Sequence, residues 1–280
     1  MTAVHPARSV FHTLRRLSPE TGARVRWALN RLKGDFSTRV VERLVGPGDV
    51  VVDIGAHWGL FTWRLASLVG PQGVVHSIEP HPDHRESLER LHRRFPWVSV
   101  HMVAATDRAG HGQLHVPRSG RRRMTALATL TPAGRRGGSQ DVLTVPTSTL
   151  DLLLRDEKRP VRFIKCDVEG HEPAVLRGAR HLIEQARPTL LVEIEQRHRD
   201  DDISSTFSSL SDLGYAGYAV YSDGLRSIAS FDVDRDQKRY LADFGMHSTP
   251  KAYVHDFLFV DPSTTDVAPL AASGRAEGAS

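Results

Sequence analysis

One short loop combines an acidic residue with two glycines, and this combination is typical of a loop that binds a ligand. It runs Asp53-Ile-Gly55-Ala-His57-Trp-Gly59 and directly follows a mostly apolar run at residues 50–54. Glycine lets a backbone turn sharply and approach a ligand closely. A helix that begins after such a loop presents free N–H groups at its first turn. The loop therefore predicts a ligand site between a buried strand and a helix.

The spacing of this loop excludes two common phosphate motifs. Counted from Gly55, a dinucleotide fingerprint needs glycines where His57 and Leu60 stand, and no Gly-Lys-Ser/Thr follows for a phosphate-binding P-loop. An acid just before the first glycine suits a cationic or amine-bearing ligand better than a pyrophosphate. S-adenosylmethionine carries both a sulfonium and an ammonium group, so we predict it as the cofactor. A plain tight strand-to-helix turn is the alternative.

Two further acids follow the next predicted strands. Glu79, in Ser-Ile-Glu-Pro, is placed to accept both hydroxyls of a ribose, and a surface glutamate is the alternative. Asp107 is predicted near the edge of an adenine ring, with a turn-forming aspartate as the alternative. The predicted cofactor-binding residues are Asp53, Gly55, His57, Gly59, Glu79 and Asp107.

A second cluster of acids and histidine begins at Asp167, in Asp-Val-Glu-Gly-His-Glu. His171 titrates near neutral pH and is a natural base. Asp167 can orient it, accept a proton or ligate a metal, and Glu193, near the end of the next strand, is a second oxygen ligand of the kind that Mg²⁺ takes. We predict Asp167, His171 and Glu193 as catalytic, with Asp167 and Glu193 as ligands if Mg²⁺ takes part. Glu172 is better explained as an acid at a helix N-terminus.

These loops need a fold that brings strand ends together. The sequence alternates strands with helices, which predicts a doubly wound α/β sheet, mostly parallel with an antiparallel edge strand. Ligands bind at the carboxyl ends of the strands in such sheets. Strands are predicted at residues 50–54, 74–78, 98–104, 110–117, 142–145, 161–167, 189–194, 215–221, 226–231 and 254–260, and helices at 60–69, 82–95, 147–154, 171–184 and 204–213. One or two short basic helices are predicted within residues 6–33.

Composition bounds the rest of the interpretation. The chain has 280 residues, of which 40% are hydrophobic and 25% charged, as in ordinary globular proteins. No run of 18 apolar residues occurs, so no membrane span is expected, and no signal peptide is recognised at the N-terminus. The single cysteine, Cys166, excludes a disulfide framework and is typical of a reducing compartment, so we predict a cytoplasmic location. The predicted organisation is a helical arm (1–40), one domain (41–262) and a disordered tail (263–280).

The net charge of +4 is unevenly distributed along the chain. Residues 1–34 and residues 118–140 each carry a charge of +6, so the remainder is acidic, near −8. A uniformly basic nucleic-acid binder has a different distribution, and no stable nucleic-acid partner is expected. The arginine-rich segment 118–140 lacks periodicity and is predicted to lie as a loop over the crevice. The basic arm is predicted as a packing or homodimer contact, with a membrane-surface helix as the alternative.

Four segments together resemble FkbM-type methyltransferases. They are Asp53-Ile-Gly-Ala-His-Trp-Gly, Ile78-Glu-Pro-His-Pro, Thr149-Leu-Asp and Ile164-Lys-Cys-Asp-Val-Glu-Gly-His-Glu, and the resemblance covers roughly residues 45–200. It implies a class I, Rossmann-like fold, S-adenosylmethionine as cofactor, and O-methylation of hydroxyls on sugars, glycolipids or polyketides. His57 stands where such families usually carry asparagine, and an imidazole can still donate a hydrogen bond.

Three functions follow as hypotheses. The first is an O-methyltransferase that acts on a small-molecule hydroxyl. The second is an RNA methyltransferase that uses the basic segments, although aromatic residues for base stacking are not interleaved with the arginines of the loop. The third is a non-catalytic protein that binds S-adenosylmethionine.

Overall fold

The computed structural model describes residues 18–120, 122–131, 139–243, 250 and 252–271 of the chain. Its α-helices are α1 (Pro19–Leu32), α2 (Phe36–Leu44), α3 (Leu60–Val69), α4 (Arg85–Arg94), α5 (Leu150–Leu153), α6 (Glu172–Gly178), α7 (Arg180–Ala186), α8 (Ser204–Ser211) and α9 (Val233–Asp236). Its strands are β1 (Val50–Ile54), β2 (Val74–Ile78), β3 (Val98–His101), β4 (Ala104–Ala105), β5 (Gly110–Ser119), β6 (Arg122–Arg123), β7 (Gln140–Ser148), β8 (Val161–Cys166), β9 (Thr189–Glu193), β10 (Ala216–Tyr221), β11 (Gly224–Ser227) and β12 (Asp256–Val260).

Eight strands form the main sheet, in the order β11-β10-β12-β9-β8-β1-β2-β3. The five strands from β9 to β3 are parallel to one another, whereas β12, β10 and β11 pair antiparallel at one side. This arrangement confirms the predicted doubly wound sheet with an antiparallel edge. It is the architecture of class I methyltransferases.

Apolar side chains cover both faces of this sheet. All five residues of β1 are buried, as expected for a central parallel strand. Val51 and Phe163 belong to an apolar cluster that includes residues of α1–α4, and Val52 and Ile164 belong to a second cluster on the other face. The alternation of neighbouring residues between two cores fixes the register of the strands.

The switch point of the sheet lies between β1 and β8. Ile54 is paired with Ile78 of β2 on one side and with Cys166 of β8 on the other. The chain leaves β1 toward β3 and returns through β8, so the loops after β1 and β8 diverge to opposite faces. A crevice opens between them at the carboxyl ends of the strands, where ligands bind in such folds.

A second sheet rises from β4, in the order β4-β7-β5-β6. Its long β5–β7 hairpin takes up only the ends of the loop predicted over residues 118–140, because β5 continues to Ser119 and β7 begins at Gln140. Between these two strands, the described residues include β6 and a 3-10 helix, Thr125–Leu127. The outer residues of both strands are mostly solvent-exposed, so no apolar alternation marks them in the sequence. Arg135 and Arg136 lie outside the described residues.

Two predicted elements differ from the structure: one helix is divided in two, and one strand ends early. The helix predicted at residues 171–184 is divided into α6 and α7, because Gly178 packs against the Thr106 carbonyl: a Cβ there would lie 1.9 Å from that oxygen. The strand predicted at residues 226–231 stops at Ser227 and continues as a 3-10 helix, Ile228–Ser230.

The described residues at the two expected boundaries of the domain pack against the apolar core. The expected boundary at residue 40 falls inside α2, which buries Val40 and Val41. Within the expected disordered tail, residues 268–270 form a 3-10 helix, Leu270 is buried in the core, and Ala271 bridges to Leu225. Among the described residues, no helix is long and apolar enough to cross a membrane.

Candidate active site

Two cavities meet at the switch point. The first, here called the hairpin cavity, encloses about 670 Å³, including space open to solvent. Its lining includes Glu79, Ala105, Leu114, Thr125, Thr129 and His171. The second, here called the lysine cavity, encloses about 430 Å³ and is lined by Asp53, Trp58, Phe61 and Lys165 among others. Gly55, His57 and Asp167 line both, so these three residues form the wall between them.

The glycine loop has no room for side chains at its turns. Gly55 has a φ of 78°, and a Cβ there would lie 1.8 Å from the Asp167 carbonyl oxygen. Gly59 caps α3 in the left-handed conformation, and a Cβ there would meet Leu91 at 2.3 Å. Both glycines therefore let the loop pack against neighbouring segments, with Gly55 placed directly on the β8 side of the crevice.

Glu79 lies at the end of β2 and lines the hairpin cavity. Its two carboxylate oxygens accept hydrogen bonds from the backbone N–H groups of His57 and His81, each at 2.7 Å. Burial raises the pKa of Glu79 to about 7, against the effect of these two bonds. A carboxylate has about four acceptor positions, so two remain for ligand hydroxyls.

Asp53 lines the lysine cavity and is held by a residue of α3. It is buried, and its carboxylate accepts a hydrogen bond from the Thr62 hydroxyl at 2.5 Å. Burial raises the pKa of Asp53 to about 6. Because Thr62 lies on α3, this hydrogen bond connects the end of β1 to the helix and so fixes both ends of the glycine loop between them.

His57 contributes through its backbone and its ring. Its φ of 52° is left-handed, and its Nε2 lies 3.2 Å from the Thr125 hydroxyl of the hairpin. The ring also makes an edge contact with His84, with centroids 4.1 Å apart. The imidazole thus joins the glycine loop to the hairpin above it.

His171, predicted as catalytic, and Asp107, predicted as cofactor-binding, are both engaged by neighbouring side chains. His171 Nε2 lies 2.8 Å from the Thr106 hydroxyl and Nδ1 lies 3.2 Å from that of Thr131. Burial lowers the pKa of His171. A neutral ring between two hydroxyls forms part of the wall of the hairpin cavity. Asp107 is not among the residues that line this cavity, and it pairs with Arg177 at 2.8 Å.

A buried lysine organises the other side of the wall. Lys165 is 2% exposed, and its Nζ lies 3.7 Å from Asp167, 3.9 Å from Glu193 and 3.8 Å from Asp256. The ammonium also lies 5.3 Å from the centre of the Phe61 ring. Burial by itself would lower the pKa of Lys165, but the three carboxylates raise it, so the side chain is charged.

The position of Lys165 bears on the predicted metal site. Its ammonium lies within 4 Å of both Asp167 and Glu193, so it supplies a positive charge where Mg²⁺ was expected. Across the described part of the chain, these two carboxylates do not occur together in a cluster of converging ligand atoms. Burial and the charge of Asp167 raise the pKa of Glu193. Among the described residues, Glu193 converges instead with His255 and Asp256. The structure therefore gives no support to Asp167 and Glu193 as a pair of Mg²⁺ ligands.

The loop after β8 is fixed by its own acids. Glu172, predicted as a helix-terminus acid, accepts N–H bonds from Val168 and Gly170 at 3.3 and 2.9 Å. Glu169 has a left-handed φ of 57° and lies 2.8 Å from His198. These contacts hold Asp167 at the wall of the two cavities. Cys166 is buried with a raised pKa, as expected of an inert thiol.

Sequence reasoning missed several residues of the site. Asp256 begins β12, directly opposite Glu193, and also bonds the Ser37 hydroxyl of α2. Thr125 and Thr129 reach the hairpin cavity from the arginine-rich segment. An acid directly before the apolar run of residues 257–260 was the available signal for Asp256; no comparable signal marks the threonines.

Comparisons with known proteins show the family of the chain. The family model described as the methyltransferase FkbM domain matches residues 53–216. The search of curated proteins finds no match. Similar solved structures include an FkbM methyltransferase from Methylobacillus flagellatus KT (16% identity, TM-score 0.47, 89% of this chain and 57% of that chain). Two others are Aeropyrum pernix fibrillarin with S-adenosyl-L-methionine (12%, 0.43, 78% and 68%) and a SAM-dependent methyltransferase from Aquifex aeolicus (13%, 0.42, 82% and 92%).

The chain spans little more than half of the Methylobacillus protein, and the likeness to these structures is distant. The family model, in contrast, covers more than half of the present chain and begins at Asp53 in the glycine loop. It also contains Glu79 and Asp167, which line the cavities. The protein therefore belongs to the FkbM family of methyltransferases.

Proposed function

We propose that the protein transfers a methyl group from S-adenosylmethionine to a hydroxyl of a sugar, glycolipid or polyketide-type molecule. The observation that carries the proposal is the position of Asp167. Its side chain is one-third exposed and lines both the hairpin cavity and the lysine cavity. A base on that wall can reach an acceptor on one side while the cofactor is held on the other.

The hairpin cavity has the chemistry that a nucleoside needs. Glu79 offers free acceptor positions at the end of β2, where ribose hydroxyls are bound in related α/β folds. The apolar side chains of Ile78, Ala105 and Leu114 provide a wall against which a flat base can pack. When bound, the cofactor supplies a methyl group made electrophilic by its sulfonium.

Methyl transfer to oxygen requires alignment and the removal of one proton. The hydroxyl oxygen must approach the methyl carbon in line, at about 3–3.5 Å. As the oxygen–carbon bond forms and the sulfur–carbon bond breaks, the hydroxyl proton passes to the Asp167 carboxylate, which acts as general base. The nearby Lys165 ammonium, 3.7 Å from that carboxylate, favours negative charge developing on the oxygen.

The proposal is tested with a methyl-labelled cofactor and a panel of sugars and polyketide alcohols, with and without EDTA. We expect transfer to at least one hydroxyl and no effect of EDTA. Asp167→Asn should lower kcat by about 10²- to 10⁴-fold, the usual contribution of a general base. Its affinity for S-adenosylhomocysteine should change by no more than about threefold.

Asp156→Asn is the matched control, because Asp156 is exposed on a loop and pairs only with Arg155 among the contacts described. It should retain full activity. Binding of NAD but not of S-adenosylmethionine would contradict the cofactor assignment. Binding of S-adenosylmethionine without transfer to any member of the panel would favour a non-catalytic role, and salt-dependent transfer to RNA would favour the RNA hypothesis.

A further inference from the structure

We propose that the acceptor is a phenol, and that its ring binds in the lysine cavity with the hydroxyl between Lys165 and Asp167. This cavity encloses about 430 Å³, including space open to solvent. The inference rests on the proposed function and narrows its acceptor to a hydroxyl carried on a flat aromatic ring, within the polyketide-type molecules of that proposal.

Lys165 supplies a buried donor that has no hydrogen bond. Its side chain is 2% exposed and lines the lysine cavity, and its Nζ makes no hydrogen bond to any described residue. The carboxylate oxygens around it lie 3.7, 3.8 and 3.9 Å away, beyond hydrogen-bond distance. A buried donor without an acceptor is costly. A hydroxyl oxygen between Lys165 and Asp167 accepts from the ammonium and donates to the carboxylate, so it satisfies this donor.

Two other polar side chains of the cavity are engaged by neighbouring residues. Asp53 accepts a hydrogen bond from a hydroxyl of α3, and His57 Nε2 lies 3.2 Å from the Thr125 hydroxyl. Lys165 and Asp167, in contrast, provide a donor and an acceptor side by side on the wall of the cavity. This pair matches a single hydroxyl of a ligand.

The apolar part of the lining favours a flat ring. Trp58, Leu60 and Phe61 line the cavity, and the Lys165 ammonium lies 5.3 Å from the centre of the Phe61 ring. Aromatic rings pack well against aromatic side chains, in offset or edge-on geometry. A molecule with many hydroxyls would place some of them against these side chains without hydrogen bonds, which weakens its binding. The cavity therefore favours one hydroxyl on an aromatic ring.

A phenol also matches the strength of the proposed base. A phenolic hydroxyl, as in tyrosine, has a pKa of about 10, far below that of an ordinary alcohol. A carboxylate is a weak base, so it removes the proton of the more acidic hydroxyl more readily. As the phenolic oxygen bonds to the methyl carbon, the sulfur–carbon bond breaks with its electron pair left on sulfur, and the proton passes to Asp167. The products are an aryl methyl ether and S-adenosylhomocysteine.

The test compares phenol with cyclohexanol, which has the same number of carbons and one hydroxyl but no aromatic ring. With a methyl-labelled cofactor, kcat/KM should be at least about tenfold higher for phenol. Calorimetry with S-adenosylhomocysteine present should show the same order of affinity. Methyl β-glucoside, the polyhydroxylated comparison, should bind more weakly than phenol.

Phe61→Leu tests the aromatic wall, because leucine keeps an apolar contact and removes the ring. It should lower the preference for phenol over cyclohexanol by about three- to tenfold. Thermal unfolding and titration with S-adenosylhomocysteine show whether the fold and the cofactor site are intact in this variant. Phe95→Leu is the matched control, because Phe95 belongs to the same apolar cluster as Trp58 and does not line the cavity. It should keep the full preference.

Several results would overturn the inference. They are equal kcat/KM for phenol and cyclohexanol, a higher kcat/KM for methyl β-glucoside than for phenol, no binding of phenol, or a preference that Phe61→Leu retains in full. Competition between phenol and S-adenosylhomocysteine would assign the lysine cavity to the cofactor and also overturn it.

The failure of the inference is distinguishable from a failure of the proposed function. Transfer to cyclohexanol or methyl β-glucoside without transfer to phenol contradicts the phenol assignment and leaves a methyltransferase that acts on hydroxyls. Phenol is also titrated without cofactor. A failure of S-adenosylhomocysteine to bind therefore contradicts the proposed function, while the binding of phenol to the cavity is still measured.

Discussion

The hairpin cavity and the lysine cavity share a wall but are built in different ways. The glycine loop and Glu79, on the hairpin side, are fixed by backbone: a left-handed Gly55 and two N–H bonds to the carboxylate. On the lysine side, the geometry depends on charged side chains from distant parts of the chain, with Lys165 between carboxylates of three strand ends. We therefore expect the geometry of the hairpin cavity to depend most on backbone changes and that of the lysine cavity to depend most on changes of charge.

Removing the central charge of the lysine cavity should have the largest effect. Lys165→Met leaves Asp167, Glu193 and Asp256 without their cation, and breaking such a buried pair costs about 3–5 kcal/mol. Urea unfolding at pH 7.5 should show this loss. It should be smaller at pH 5.5, because burial raises the pKa of Glu193 and protonation of this residue removes one of the unpaired charges.

Lys158→Met is the control, since Lys158 is exposed and outside this cluster, and we expect a change below about 0.5 kcal/mol. If Lys165→Met were as stable as the parent at pH 7.5, the contrast between the cavities would be wrong.

A backbone change should affect the hairpin cavity next most strongly. Gly55→Ala forces a Cβ onto the Asp167 carbonyl, so the loop must move. We expect affinity for S-adenosylhomocysteine, measured by calorimetry, to fall by about 100-fold or more, a change of about 3 kcal/mol. Gly48→Ala has a similar φ of 86° but nothing within 4 Å. It should lose about 1–2 kcal/mol of stability from strain and bind normally. Equal affinity losses in the two variants would contradict the packing argument.

The motif glutamate provides a pH-dependent test. Burial raises the pKa of Glu172 to about 7 from 4.5. The folded chain therefore holds this proton more tightly than the unfolded chain, and stability falls as pH rises from about 4.5 to about 7. Glu172→Gln keeps an acceptor oxygen for the Val168 and Gly170 N–H groups and removes the charge. We expect it to stabilise the protein by about 1–3 kcal/mol at pH 8 and by less at pH 5.

Thermal unfolding at the two pH values measures this difference, and the exposed Glu184→Gln is the control. A variant that is less stable than the parent at pH 8 would show that Glu172 is ionised in the fold and that its charge stabilises the loop.

The smallest effect is expected at the mouth of the hairpin cavity. Arg123 of β6 lies 3.7 Å from Asp83, which follows β2, and also pairs with Asp141. Arg123→Gln removes an exposed contact between the hairpin and the sheet, which contributes at most about 1 kcal/mol. The dissociation rate of S-adenosylhomocysteine should rise by about threefold in stopped-flow measurements. Arg122→Gln, on the same short strand, should leave it unchanged.

The same contrast explains what the sequence could predict. The loop from Asp53 to Gly59 and the strand end at Glu79 carry their geometry in local residue types, and both are found where the sequence predicted them. Asp256 lies beside Lys165 because β12 is inserted antiparallel beside β9, and it also accepts a hydrogen bond from Ser37 of α2. No local pattern encodes that meeting, so the role of Lys165 as the centre of a charge cluster was not foreseen.

The role of His171 shows the same limit of sequence-based prediction. His171 has the residue type and position of a base, and only the tertiary structure shows both of its ring nitrogens beside threonine hydroxyls from other segments. In the arginine-rich segment, the described side chains are mostly exposed or half-buried, so no alternation of apolar and polar residues marks a strand there.

The pairing of β5 with β7 has a consequence for the changes in length that this hairpin can tolerate. Eight consecutive pairs, from Gly110 opposite Thr147 to Pro117 opposite Gln140, connect the hairpin tip to its base. Residues added or removed between the two strands leave this register intact, because loop length costs little. A one-residue slip within the strands would turn every side chain to the other face. The tip can therefore be lengthened, shortened or exchanged by evolution or by a protein engineer, while the base remains in place over Ala104 and Ala105.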